Sequence, residues 1–333
     1  MPLAELKATL AELGAGTGLA LPLWRGLFRF GADQFCTAGE RGLSLGASTP
    51  RALAARGIVP LKSQVRAAEP SADGTIKLLV ELEDGLAIET VVLRAKHGHG
   101  VCLSTQVGCA VGCVFCASGL RGVVRNLTAC EIAEQVALAR RYAPVDRLVI
   151  MGMGEPLLNL DQVLGALAIV KTAAGIGDRR VILSTIGVPA RIDALAAMQR
   201  RWTLALSLHS ARDQVRRRLI PASAHRAADV VAAARRYVER TGRACLIEIA
   251  VLRDINDSQD EAHALAELLA ELKACVNLIP WNPVADLPFA APEPIALERM
   301  RAILTEHGLH TTIRRSLGPD VAAACGQLVH RRG

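Results

Sequence analysis

Aromatic residues are scarce in this chain: two Tyr, three Trp and five Phe among 333 residues. That argues against a binding surface built mainly from stacked rings, the platform that sequence-tolerant single-strand binders use. Long apolar runs are missing too. No stretch approaches the ~18 uninterrupted apolar residues of a membrane span. The opening segment, MPLAELKATLAEL, reads as an amphipathic helix and lacks the basic start, apolar run and small-residue cleavage site of a signal peptide. There is no internal repeat and no low-complexity tract beyond alanine-rich helices. With 51% hydrophobic and 21% charged residues, a sizeable core is available and the composition is not that of a disordered chain.

The formal charge of +7 leans towards anionic partners. Nine cysteines, an odd number, cluster rather than spread through a small secreted fold. Both features suit a cytoplasmic protein whose cysteines do chemistry. The length suggests a large domain with an accessory piece.

Residues 1 to about 60 are helical in pattern, with apolar stripes around Leu10, Leu27 and Leu53. Between 75 and 93 the period becomes two, and Asp73-Gly74 and Asp84-Gly85 supply turn signals for a β-meander. KHGHG at 96–100 reads as a linker, so the boundary is expected near 95, between an N-terminal accessory domain (1–95, helical segment plus meander) and a catalytic domain (96–333). After it, apolar runs at 147–151, 180–184, 203–208, 246–252, 275–279 and 310–314 alternate with helical stretches such as 128–142, 158–174 and 258–274. Thr128 and Glu131 open the first of these helices as a capping box. Such alternation predicts an α/β fold with a parallel sheet, open or curled into a full or partial barrel. Chemistry then belongs at the carboxyl ends of the strands. Those ends carry the Cys102–Cys116 segment, Gly152–Pro156, Ser184-Thr185, Ser207–His209, Asn282 and the stretch from Arg314 to Cys325.

Cys109, Cys113 and Cys116 are spaced C-x3-C-x2-C. Structural zinc sites favour four ligands in two pairs, and neither a second CxxC nor a His-x3-His occurs. Ferredoxin-type clusters take four thiolates, whereas this loop supplies three. Three thiolates on a four-iron cluster leave one iron open, as an open position marks catalytic metal sites. Phe115 adds an apolar ring at the edge. MGMGEP at 151–156 offers glycines that let backbone approach a ligand closely and Glu155 to pair with an ammonium; alone it reads as a strand-to-helix turn.

C-x3-C-x-aromatic-C resembles the signature of radical S-adenosylmethionine (SAM) enzymes. Together with DGTIK (73–77), IETV (88–91), CLSTQVGCAVGCVFCASG, RNLTACEI (125–132), MGMGEPLLN, LSLHSARD (206–213), NLIPWNPV (277–284) and AACGQL (323–328), it resembles the RlmN/Cfr family of radical SAM RNA methyltransferases over roughly residues 20 to 328. The resemblance implies a partial (β/α)6 barrel, one [4Fe-4S] cluster per chain on Cys109, Cys113 and Cys116, and SAM bound by Gly154, Glu155, Ser184, Ser207, Leu208, His209 and Asn282.

The implied chemistry explains the further cysteines. The amidine carbons of adenine are poor nucleophiles, so direct displacement on the SAM methyl group is closed to them. A methyl moves first from one SAM to Cys325. A second SAM is cleaved to a 5′-deoxyadenosyl radical, which takes a hydrogen from that S-methyl. The carbon radical adds to the base, and Cys102 then attacks the sulfur, forming a disulfide and freeing the product. Glu89 matches the family's proton acceptor. Without the family, Cys325 reads as a small core residue in a loop that Gly326 makes mobile, Cys102 as a strand residue, and Glu89 as part of a solvated strand face. Cys36, Cys130, Cys245 and Cys275 read as core or incidental.

The implied partners are RNA (23S rRNA and, for some members, tRNA) and an electron donor such as flavodoxin, for a monomer without membrane contact. Methylation at C2 of adenine is the commoner activity of the family and C8 the rarer. Arg121, Arg125 and Arg216–Arg218 are candidates for phosphate contacts, although such a run is more often a solvated helix face. The chain departs from the family where Arg-Gly-x-Asp-Ile becomes Leu317-Gly318-Pro319-Asp320-Val321. Its N-terminus also reads as shorter than the family's helical RNA-binding module. Two other readings stand beside this one. A radical SAM methylase of a protein or small molecule is one. The other is an iron-sulfur RNA-binding protein or sensor, for which Cys102 and Cys325 are dispensable.

Overall fold

The strand signals join into one sheet in the computed structural model of the chain, which describes residues 3–30, 52, 53, 55, 61–95, 98–285, 287–314 and 316–329. Cys36 lies outside the described residues. The meander forms first: β1 (Gln64–Pro70), β2 (Ile76–Glu81) and β3 (Ala87–Arg94) pair antiparallel. Asp73-Gly74 and Asp84-Gly85 make its two turns, with both glycines at positive φ and each aspartate accepting from the backbone N–H two residues on.

β3 then pairs antiparallel with β4 (His99–Cys102), Val91 opposite Cys102. The hydrogen-bonded sheet therefore runs unbroken across the expected boundary near 95. From β4 onward the order is β4, β7 (Val145–Ile150), β8 (Val181–Thr185), β9 (Thr203–Ser207), β10 (Cys245–Val251), β11 (Ala274–Pro280) and β12 (His310–Ile313), all parallel. The central strands, β9 and β10 above all, are buried on both faces, which is why they read as nearly continuous apolar runs, whereas the edge strand β12 (HTTI) is only half-buried. Val101, Leu148, Leu183, Leu204, Ile247 and Val276 pack in one core with the helices. A short second sheet, β5 (Gln106–Gly108) with β6 (Val123–Asn126), frames the cysteine trio.

The helices are α1 (Leu3–Glu12), α2 (Ala20–Phe30), α3 (Ala129–Ala139), α4 (Leu160–Ala173), α5 (Pro189–Ala197), α6 (Asp213–Leu219), α7 (Ala227–Thr241), α8 (Gln259–Leu269) and α9 (Pro294–Glu306). The capping box of α3 is formed: Thr128 Oγ1 accepts from Glu131 N–H, and the Glu131 carboxylate accepts from Thr128 N–H (2.8 Å). α2 sets Leu23, Trp24, Leu27 and Phe28 on one face at i, i+4 spacing and packs on α3 and α4, so the N-terminal helices share the barrel's core. Among the described residues no helix is long and apolar enough to cross a membrane.

Candidate active site

The carboxyl ends of β7 to β11 converge on one hollow with about 950 Å³ of free space, part of it open to solvent. Ile150, Ser184, Ser207, Glu248, Ala250 and Ile279 line it from five successive strands, so the sheet curls around it.

Cys109, Cys113 and Cys116 form one wall. The loop that carries them closes on itself through Cys109 N–H to Gly122 O (3.0 Å) and Cys116 N–H to Cys113 O (3.2 Å). Gly108 is required there: its φ is +79°, and a Cβ would lie 2.0 Å from Gly122 O. Burial pushes all three thiols up, Cys109 to about 11 and Cys113 and Cys116 also upward, so they hold their protons unless a positive centre meets them. Among the described residues no three His, Cys, Asp or Glu converge as they would around a single ion. A four-iron cluster asks for a different arrangement, one thiolate on each of three irons. Three thiols facing one roomy hollow fit that group.

The opposite wall is MGMGEP. Gly152 and Gly154 have no room for a Cβ, which would press on Leu103 O (2.6 Å) and on the Thr105 and Gln106 side chains (2.7 Å) respectively. These glycines therefore let the segment lie against residues 103–106, the link from β4 into β5, a packing reason beside the ligand reason the sequence offered. Glu155 is buried, with Oε1 accepting from Leu157 N–H and Oε2 from Ile186 N–H (both 2.9 Å). Burial raises its pKa. A carboxylate so fixed presents its remaining lone pairs to an ammonium.

Ser184 and Ser207 touch through their hydroxyls (3.1 Å). His209 has a left-handed backbone (φ +62°), and its Nδ1 accepts from Ala250 N–H (3.0 Å), which leaves the proton on Nε2. Burial, aided by the Arg216 charge, lowers its pKa to about 3, so the ring is a neutral donor. Phe115 meets it edge to face at 5.0 Å. Leu208 does not line the hollow; its side chain sits in the core, and its N–H donates to Leu206 O and Glu248 O.

A second hollow of about 660 Å³ lies behind the first, and Cys102 lines it. Cys325 lines both. Cys102 and Cys325 are free thiols. Burial pushes Cys102 up to about 12, the Cys325 charge adds to this, and Arg314 opposes it. Cys325 is exposed towards the hollows but ringed by protein, and burial raises its pKa as well. The loop around it is pinned rather than loose. Asn282 Nδ2 donates to Cys325 O (3.0 Å), Ala117 N–H to Gly326 O (2.7 Å), and Ser118 Oγ to Leu328 O (2.6 Å). Asp73 accepts from Gly318 N–H (2.8 Å), and Asp320 accepts from Ser71 Oγ and Ala72 N–H. The Gly and Asp retained in the altered 317–321 segment thus tie the loop to the meander. Leu317 lines the second hollow.

Glu89 departs from the solvated strand face that its meander position suggested. It is 1% exposed, lies 3.5 Å from Lys77 Nζ, and accepts from Val329 N–H (2.8 Å). It lines neither hollow. Arg125 is committed to Glu131 and Asp84, and Arg216 is buried; Arg121, Arg217 and Arg218 remain exposed. Cys245 is buried, and Cys130 and Cys275 are half-buried. Glu248 escaped the sequence reading. It lines the first hollow at 3% exposure, with Asn277 Nδ2 and Arg314 on one oxygen and no hydrogen-bond partner on the other. A lone carboxylate inside the apolar run LIEIAVL was its only signal.

Residues 103–266 match the family described as the radical SAM superfamily. A protein of Rhodopirellula baltica, named a probable dual-specificity RNA methyltransferase RlmN, is 44% identical over 79% of this chain and 73% of its own length. One of Symbiobacterium thermophilum with the same name is 40% identical over 99% of this chain and 90% of its own. The crystal structure of a radical SAM methyltransferase from Sphaerobacter thermophilus superposes with a TM-score of 0.90 at 38% identity, covering 98% of this chain and 97% of that one.

Proposed function

This chain belongs to the RlmN family of radical SAM RNA methyltransferases, and from that premise we propose that it methylates C2 of an adenine in 23S rRNA and in tRNA through a methyl group carried on Cys325. The dual specificity in the names of its relatives supports two RNA substrates. The observation that carries the mechanism is the place of Cys325, on the wall shared by the hollow of the cysteine trio and the hollow of Cys102.

In this reading Cys109, Cys113 and Cys116 hold a four-iron cluster, and Gly154, Glu155, Ser184, Ser207, the Leu208 backbone, His209 and Asn282 hold SAM. When bound, the cluster would supply the electron for reductive cleavage of SAM, which starts the radical chemistry, and would take back the unpaired electron that addition to the base leaves. Every other step uses the chain's own groups. Cys325, as thiolate, takes the methyl carbon by displacement, and the SAM sulfur leaves as a neutral thioether. After hydrogen loss from that methyl and addition to the base, the Cys102 thiolate attacks the Cys325 sulfur. Addition also leaves a ring proton, which goes to the proton acceptor. The S–S bond then forms as the S–C bond breaks, its electron pair leaving on the methylene carbon, which takes up a proton to become the methyl. Both thiols start protonated, and Arg314, beside them in the second hollow, favours each thiolate.

Glu89 serves as proton acceptor once the Val329 segment has released its carboxylate, which that segment occupies here. The first 95 residues, continuous with the barrel sheet, form the accessory surface for RNA. A low-potential donor of the flavodoxin class supplies electrons, and the enzyme works as a cytoplasmic monomer.

Nucleoside digests of 23S rRNA and tRNA from cells with and without the gene test the assignment. Loss of 2-methyladenosine from both RNAs with the gene deleted is the expected result. Loss of the 8-methyl isomer instead places the activity at C8, and unchanged digests contradict the reading.

A further inference from the structure

The basic run Arg216-Arg217-Arg218 on α6 looks uniform in the sequence, yet its members part company in the fold. Arg217 and Arg218 are exposed, whereas Arg216 is 1% exposed and among the largest fully buried side chains of the described residues. Its guanidinium donates to Ile186 O and to Ser223 Oγ, and its Nε is buried with no acceptor. Among the described residues no carboxylate forms an ion pair with it. Asp213, on the same helix, accepts from Ala227 N–H and Arg226 instead.

A buried cation without a counter-charge is costly, by several kcal/mol even after relaxation. Two anionic groups reach it electrostatically, Cys113 first and Asp213 second. Asp213 is shared with Ala227 and Arg226, which leaves the side of the cysteine trio as the place for a fuller counter-charge. The end of α6 packs on the cysteine trio: Val114 N–H donates to Leu219 O (3.1 Å), and Leu219 and Ile220 share a cluster with Val111, Phe115 and the three cysteines. Arg216 acts electrostatically on Cys113, favouring its thiolate, and on His209, keeping it neutral. The guanidinium also meets the hollow's wall through Ile186, whose N–H binds Glu155 and whose C=O binds Arg216.

We propose that Arg216 is the internal counter-cation of the iron-sulfur cluster held by Cys109, Cys113 and Cys116, and that it sets the cluster's reduction potential. The inference rests on the cluster reading above. Three thiolates outweigh the positive charge of the oxidised core, and reduction adds one electron from the external donor to the cluster, making it more negative still. A fixed positive charge close by, out of reach of solvent screening, favours the reduced state more than the oxidised one. Arg216 is thus a positioning residue: it touches no substrate and acts through the cluster's electrostatics.

The test is an anaerobic redox titration of the reconstituted full-length enzyme, followed by electron paramagnetic resonance, with iron and sulfide counted per chain. Arg216→Gln keeps hydrogen-bond donors towards Ile186 O but removes the charge; Arg216→Lys keeps the charge. The expected result is a shift of the Arg216→Gln couple by roughly tenfold or more towards the oxidised form, about 59 mV more negative for one electron. Arg216→Lys stays near wild type. Loss of the cluster from Arg216→Gln while Arg216→Lys retains it also supports the proposal, because charge alone separates the two. An unchanged potential in a cluster-loaded Arg216→Gln, or equal loss of cluster from both variants, overturns it. A wild-type protein that takes up no cluster contradicts the underlying reading, a failure visible before any variant is compared.

Discussion

At the scale of single residues, the account rests on two thiols with different tasks. Cys325 reaches both hollows, and Cys102 reaches one. Cys325→Ala is therefore expected to abolish both carriage and turnover, lowering RNA methylation by roughly a thousandfold or more, as loss of a covalent nucleophile does elsewhere. Cys102→Ala is expected to lower turnover as far while leaving Cys325 able to accept its methyl, so RNA remains covalently joined to Cys325 and a protein–RNA adduct appears on a denaturing gel. Release of methylated RNA by Cys102→Ala at the wild-type rate contradicts a resolving role. Spacing alone revealed the trio, because sulfur at fixed intervals is a chemical statement in itself; Cys102 and Cys325 read as a strand residue and a small core residue until the family resemblance singled them out. Neither signal revealed Arg216 or Glu248. Whether an arginine in a run of three is buried depends on which side of α6 meets the trio loop, and that is decided by packing.

At the scale of elements, β7 to β11 were legible to within two residues, since burial writes them as apolar runs; β4 was not, and its first residues, His99 and Gly100, fall in the segment read as a linker. The run at 203–208 became β9 at Thr203–Ser207. Helix ends were less legible where alanine dominates. The stretch expected as helical to 274 stops at Leu269, because Ala270 turns extended (ψ 139°) and the chain enters β11 at Ala274. No proline, glycine or cap residue marks that change. At the start of α3 the signal was explicit, and Thr128→Ala is expected to destabilise the protein by about 1 kcal/mol, read from the denaturant midpoint. In the loop that bears the trio, Gly108→Ala meets a left-handed backbone and the Gly122 carbonyl together. That variant is expected to reconstitute with less iron per chain than wild type, since the loop can accept the methyl only by opening its β5–β6 frame.

At the scale of the whole molecule, the β-meander and the loop that carries Cys325 are fastened to each other through Asp73 and Asp320. No pattern in either segment announced this contact, because residues some 245 apart in sequence meet only through the fold. Burial pushes the Asp73 carboxyl up, but hydrogen bonds from Gly318 and Thr75 outweigh it and hold the pKa at about 2, below the ordinary 3.8. The folded value is depressed, so the anchor's contribution is fully present above about 4 and is lost as the pH falls towards 2. Asp73→Asn is expected to flatten the acid dependence of stability across that window, measured as unfolding midpoints at stepped pH; an unchanged profile contradicts the anchor.

The same fastening holds Cys325 where both hollows open onto it, and that position is the centre of the account. It is tested most directly by incubating the anaerobically reconstituted enzyme with SAM and determining the mass of the peptide that carries Cys325. One added methyl on Cys325, absent from Cys325→Ala, is the predicted result. An unmethylated Cys325 in enzyme that holds its cluster would contradict it.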